Sequence, residues 1–128
     1  MSDLLLVDTN VLIDYSRDYS AAVEYLESLE TPPLVSAITV AELYGGVREG
    51  SERKALDELV KRLTVIQISG EIAEAGGLYR RDYFKSHGVG LADAIIAASA
   101  ESVNATMVTL NKKHFPMLST VIVPYVKT

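Results

Sequence analysis

The chain contains no cysteine, which excludes disulfide frameworks and thiolate metal sites. Long apolar runs are also missing: none approaches the ~20 residues that a bilayer-spanning helix needs, and no basic segment precedes an apolar one at the N-terminus. The expectation is therefore a soluble, cytoplasmic protein with no membrane association. Positive charge is short too, with 12 Lys and Arg against 17 Asp and Glu and a net charge of −5, which argues against a general nucleic-acid coat protein. No Gly/Pro/Ser-rich linker, internal repeat or low-complexity tract divides the chain, and Gly88-Val89-Gly90 neither follows a strand nor completes a dinucleotide-binding fingerprint. What is present is ordinary globular composition: 128 residues, 48% apolar and 23% charged, expected to form one domain over residues 1–128.

Short apolar segments alternate with helical spacing. Leu4–Val7, Leu34–Ser36, Thr64–Ile68, Ala105–Leu110 and Thr120–Val123 read as strands. Between them, helices are expected from Val11, over Ala21–Leu29 with Asp18 or Ser20 as cap, over Ile38–Val47, and from an N-cap at Ser51 to Leu63. Two more follow, from Glu71 to about Lys85 after a Ser69 cap and over Leu91–Val103. Strands of this kind, alternating with helices, indicate an α/β fold with a mainly parallel sheet covered on both faces. Ligands in such sheets bind beyond the carboxyl ends of the strands, where Asp8 and Asn111 are placed by this reading.

Four polar positions stand out against apolar neighbours: Asp8 after Leu4-Leu5-Leu6-Val7, Glu42 in Val40-Ala41-Glu42-Leu43, Asp93 in Ala92-Asp93-Ala94-Ile95-Ile96, and Asn111 after Val108-Thr109-Leu110. Each has a local explanation. Asp8 can cap a helix, Thr39 and Glu42 match a capping box, Asp93 suits the positive end of a helix, and Asn111 is a common turn residue. Taken together they supply three carboxylates and an amide oxygen. A carboxylate buried bare is prohibitively costly, and like charges held close favour proton uptake unless a cation sits between them. Oxygen-only donors suit Mg²⁺ or Mn²⁺ rather than zinc, and the chemistry that such ions support is attack of water on a phosphodiester.

Asp8-Thr9-Asn10-Val11-Leu12-Ile13-Asp14, Ala41-Glu42-Leu43, Leu91-Ala92-Asp93-Ala94-Ile95-Ile96-Ala97 and Val108-Thr109-Leu110-Asn111-Lys112-Lys113-His114-Phe115, in that order, resemble the motifs of PIN-domain nucleases, and with this chain length those of VapC-type toxins of toxin–antitoxin pairs. The resemblance implies a three-layer α/β/α fold, an endoribonuclease dependent on Mg²⁺ or Mn²⁺, a homodimer, and a VapB-like antitoxin partner. Carried over, it makes Asp8, Glu42 and Asp93 metal carboxylates, adds Asn111 to the catalytic set, and has Asn10 and Thr109 orient those carboxylates or their waters. An aspartate often stands where this chain has Asn111, which weakens the case for a firmly held second metal. Arg80, Arg81, Lys85, Lys112 and His114 are candidate RNA contacts, with a solvated surface as the alternative. Asp14, six residues past Asp8 on a different helical face, reads as structural or as a support behind the metal carboxylates. The competing function is a catalytically silent PIN-fold protein that binds an antitoxin or RNA. A phosphoryl-aspartate protein fits less well, because Asn10 stands where its second aspartate belongs.

Overall fold

A computed structural model describes residues 4–127; Met1–Asp3 and Thr128, part of the expected domain span, lie outside the described residues. Five short strands, β1 (Leu5–Val7), β2 (Leu34–Ser36), β3 (Thr64–Ile66), β4 (Thr106–Val108) and β5 (Val121–Ile122), form one sheet in the order β3-β2-β1-β4-β5. Every pairing is parallel, with Leu6 opposite both Leu34 and Met107, and Val7 opposite Val108. The helices are α1 (Thr9–Ser16), α2 (Ser20–Glu27), α3 (Ala37–Gly45), α4 (Ser51–Lys61), α5 (Gly70–His87) and α6 (Leu91–Ser102). The strands are shorter than the apolar runs suggest, since parallel pairing stops at Val7, Ile66 and Val108 and the residues beyond turn into loops or helix starts.

Alternation along each strand divides the interior into two cores. Val7, Val35 and Val108 face one side and pack with Val11 and Leu12 of α1, Leu43 of α3, and Leu56 and Leu59 of α4. Leu6, Leu34 and Met107 face the other and pack with Ile96, Ala97 and Ala100 of α6 and with Phe115. Helices thus cover both faces, giving the expected α/β/α layers.

Sequence order reverses direction at the centre of the sheet. From β1 the chain moves outward to β2 and β3, then returns to place β4 on the opposite side of β1. The crevice at this switch point lies beyond the carboxyl ends of β1 and β4, where the Asp8 N–H donates to the Val108 carbonyl at 2.8 Å.

Several helix starts differ from expectation. Tyr19, without a side-chain bond, precedes α2 in place of Asp18 or Ser20, and Gly50 at φ 106° precedes α4, so Ser51 is its first residue rather than its cap. Ser36 caps α3 by accepting the Ile38 N–H. With the helix starting at Ala37, Thr39 lies inside it and no capping box with Glu42 forms; Thr39 is instead fully buried. Ser69 does cap α5, accepting the Ile72 N–H. That helix stops at Gly88, whose φ of 66° is a left-handed conformation costly for a residue with a Cβ.

Candidate active site

Asp8 follows β1 directly and occupies the N-cap position of α1. It is 4% exposed. One carboxylate oxygen accepts the N–H of Thr9 at 2.8 Å, and the other accepts the hydroxyl of Thr109, the residue after β4, at 2.6 Å. Thr109 is itself fully buried, and its hydroxyl oxygen also accepts the Asn111 N–H at 3.0 Å. The loop after β4 is therefore fastened to Asp8 through a single hydroxyl.

Glu42 reaches the same place from α3. The Thr9 hydroxyl donates to it at 2.6 Å, and that hydroxyl lies 3.0 Å from the buried Thr39 hydroxyl. Asp93 stands in the first turn of α6, and its Oδ2 is 3.1 Å from His114 Nδ1. His114 in turn lies 2.7 Å from the Asn111 side chain. A short 3₁₀ turn over Lys112–His114 brings the imidazole back over Asn111.

The electrostatics follow from this arrangement. Burial, reinforced by the nearby charges of Asp93 and Glu42, pushes the Asp8 carboxyl up to about 6, although the Thr109 hydroxyl and Thr9 N–H pull the other way. Burial likewise lifts the Asp93 carboxyl above the ordinary carboxylate value, opposed by His114. Burial is the larger cause for both carboxyls, and at Asp8 the neighbouring acids that would share a cation with it add to the shift.

Sequence-expected residues divide into two groups. Asp8, Glu42, Asp93, Asn111, Thr109 and His114 converge at the switch point through the bonds above. Asn10 does not join them: its Oδ1 is buried without a hydrogen-bond partner. Arg80 lies over the Phe84 ring at 4.1 Å, Arg81 pairs with Asp82 at 2.8 Å, and neither they nor the exposed Lys85 touches a carboxylate of the site. Lys112 is exposed in the turn between Asn111 and His114. Asp14 belongs elsewhere: buried, it accepts from Tyr125 and from Lys127, both at 2.8 Å. The roles of Thr9, as the bridge to Glu42, and of His114 toward Asp93 were not read from the sequence. The Thr9 hydroxyl one residue after Asp8 was the only available hint.

The donors suit a hard divalent ion in kind, being oxygen atoms on three carboxylates of which one is buried under like-charge pressure. As the side chains stand, no group of three His, Asp or Glu residues among the described ones is arranged to hold a metal ion. Glu42 Oε1 is engaged by the Thr9 hydroxyl and Asp93 Oδ2 by His114, while the second oxygen of each carboxylate stays outside those bonds.

Comparison with known proteins agrees with the geometry. The PIN domain family matches residues 5–118. Ribonuclease VapC10 of Mycobacterium tuberculosis is 36% identical over 125 residues, 95% of this chain and 93% of that protein. Ribonuclease VapC1 of Methanocaldococcus jannaschii is 32% identical over 115 residues, 89% of this chain and 80% of that protein. Among solved structures, a toxin–antitoxin complex from Klebsiella pneumoniae superposes with a TM-score of 0.83 at 29% identity, covering 96% of this chain and 99% of the other. A VapBC2 structure from Rickettsia felis, bound to a promoter DNA fragment, gives 0.72 at 26% identity over 93% of this chain and 96% of the other. With its carboxylates at the switch point of an α/β/α sheet, the chain belongs to the PIN-domain family, as a VapC-type member.

Proposed function

We propose that this chain is the toxin of a toxin–antitoxin pair, a ribonuclease that cuts RNA internally by hydrolysing phosphodiester bonds with Mg²⁺ or Mn²⁺. One observation carries the proposal: Asp8 is buried at the switch point, its carboxyl raised first by that burial and further by the charges of Asp93 and Glu42. A silent fold would gain nothing from keeping those repelling acids together, which disfavours a purely interacting protein. Similarity to ribonucleases of the VapC type supports the substrate class.

Asp8, Glu42 and Asp93 would hold the ion, which would supply charge neutralisation and a water readily deprotonated for attack on phosphorus. Thr109 fixes the Asp8 carboxylate through one oxygen, and Thr9 sets the Glu42 side chain. His114 holds Asp93, and Asn111 completes the catalytic set. Asn10 makes no bond to these groups, and its buried, unpartnered Oδ1 would help to orient the carboxylates or their waters. Lys112, Arg80, Arg81 and Lys85 offer positive charge to the RNA backbone. The reading also takes residues 1–128 as a single PIN domain, forming a homodimer in the cytoplasm and restrained by a VapB-like antitoxin. Structures of VapBC complexes among its neighbours support that partner class. No helix among the described residues is long and apolar enough to cross a membrane.

The test incubates the purified chain, stripped of any antitoxin, with total cellular RNA in Mg²⁺, Mn²⁺ or chelator, beside an Asp93→Ala control. Discrete, metal-dependent cuts that disappear in the control are expected. Equal behaviour of wild type and control would remove the nuclease assignment from this site.

A further inference from the structure

His114 Nδ1 makes two contacts with one atom, at 2.7 Å to the Asn111 amide and at 3.1 Å to Asp93 Oδ2. A ring nitrogen either carries a hydrogen and donates or lacks one and accepts. With the amide as placed, its NH₂ faces Nδ1, which must then accept; an ionised Asp93 would press a second lone pair against the same nitrogen. A protonated Asp93 is no better, because two donors would compete for one lone pair. Only one arrangement satisfies both contacts: Nδ1 carries the hydrogen, shares it between Asp93 Oδ2 and the amide oxygen, and the Asn111 amide is turned end for end. The amide's oxygen and nitrogen are interchangeable in placement, so the hydrogen-bond network decides between them.

Turned this way, the Asn111 NH₂ takes the position of the atom that makes no hydrogen bond among the described residues. That amide is one imidazole nitrogen away from Asp93, and the backbone N–H of the same residue donates to the Thr109 hydroxyl that donates to Asp8. We infer that Asn111 presents its NH₂ to a phosphodiester oxygen of the bound strand rather than its oxygen to a cation, with His114 as the positioning residue that holds the amide in that sense. An amide donor beside the carboxylates offers an anion a neutral hydrogen bond where an aspartate would repel it. This rests on the nuclease reading for the identity of the strand, but the orientation of the amide does not.

Two measurements test it. Nitrogen NMR of the metal-free chain at about pH 8, with His87→Gln to separate the two histidines, should find Nδ1 of His114 protonated; an unprotonated Nδ1 overturns the inference. Separately, Mn²⁺ affinity is measured without RNA, and KM and kcat with RNA, for Asn111→Ala, Asn111→Asp, His114→Ala and the Asn111→Ala/His114→Ala pair. Asn111→Ala should leave Mn²⁺ affinity unchanged and raise KM about tenfold, and Asn111→Asp should raise KM further. His114→Ala should reproduce the KM increase and add little to Asn111→Ala. A tenfold weaker Mn²⁺ affinity in Asn111→Ala, a KM for Asn111→Asp at or below that of the wild type, or fully multiplicative effects in the pair would each overturn it. A wild type that cuts no RNA defeats the nuclease reading and the choice of strand, while the NMR result still decides the amide.

Discussion

Asp8 carries an ionisable group in a place that disfavours its charge. Its carboxyl value rises from 3.8 to about 6 on folding, so the native state holds the proton more tightly than the unfolded chain does. Native stability is accordingly lost as pH rises through that interval, and the loss is complete above about pH 7. Asp8→Asn removes the penalty. In chelator, urea unfolding at about pH 8 should find Asp8→Asn more stable than wild type by ~1–3 kcal/mol, with the gap closing near pH 4. Excess Mg²⁺ or Mn²⁺ should stabilise the wild type and narrow the difference. Thr109→Val, which keeps the shape and deletes the hydroxyl, should drive Asp8 higher still and cost ~1–2 kcal/mol at about pH 7. In an Asp8→Asn background that cost should shrink, because the charge it relieves is gone. At this scale the acids were legible from their apolar flanks, as were Asn111 and Thr109 from their motif. The pairings Thr9–Glu42 and Asp93–His114 were not, since they join residues 33 and 21 positions apart and depend on how β1, α3 and α6 meet.

Elements were easier to find than their ends. Short apolar runs located all five strands, because a parallel strand covered on both faces is apolar almost throughout. Boundaries slipped where tertiary contacts outweighed local preference. Thr39-x-x-Glu42 has the form of a capping box, yet Ser36 starts the helix three residues earlier, and both Thr39 and Glu42 turn toward Thr9. The 3₁₀ turn over Lys112–His114 has no periodic signal to announce it, being one turn held by its neighbours. Gly76 shows a constraint that helix spacing alone hides. A Cβ there would stand 2.9 Å from Ile95 Cγ1 and 3.1 Å from its Cα, so α5 can approach α6 this closely only through glycine. Gly76→Leu should therefore lower stability by ~2 kcal/mol or more despite leucine's better helix propensity, read as a fall in Tm. Gly77→Leu is the control, because a Cβ at that position meets nothing within 4 Å.

Across the whole molecule, the C-terminal end of the described chain is drawn onto one buried acid of the first helix. Asp14 on α1 has a side chain 8% exposed and accepts from Lys127, while Tyr125 donates its hydroxyl to the other oxygen. Tyr19 completes the clasp, with its ring 5.6 Å from that of Tyr125 and 4.9 Å from the Lys127 ammonium. The contact joins residues more than a hundred positions apart and anchors the helix whose first residues carry Asp8 and Thr9. Its partners Tyr125 and Lys127 lie beyond the PIN match, which ends at residue 118, so no motif pointed to the contact. A buried carboxylate stripped of its partners is more costly than one never charged. Removing residues 125–128 should therefore destabilise the chain by ~2–4 kcal/mol. Asp14→Asn should act with opposite sign in the two backgrounds: destabilising by ~1 kcal/mol in the full chain, where it weakens the hydrogen bonds of Tyr125 and Lys127, and stabilising in the shortened one, where it removes an unpaired charge. Urea midpoints for the four proteins decide the matter. Equal effects of Asp14→Asn in both backgrounds would mean that the C-terminal segment covers α1 without holding it.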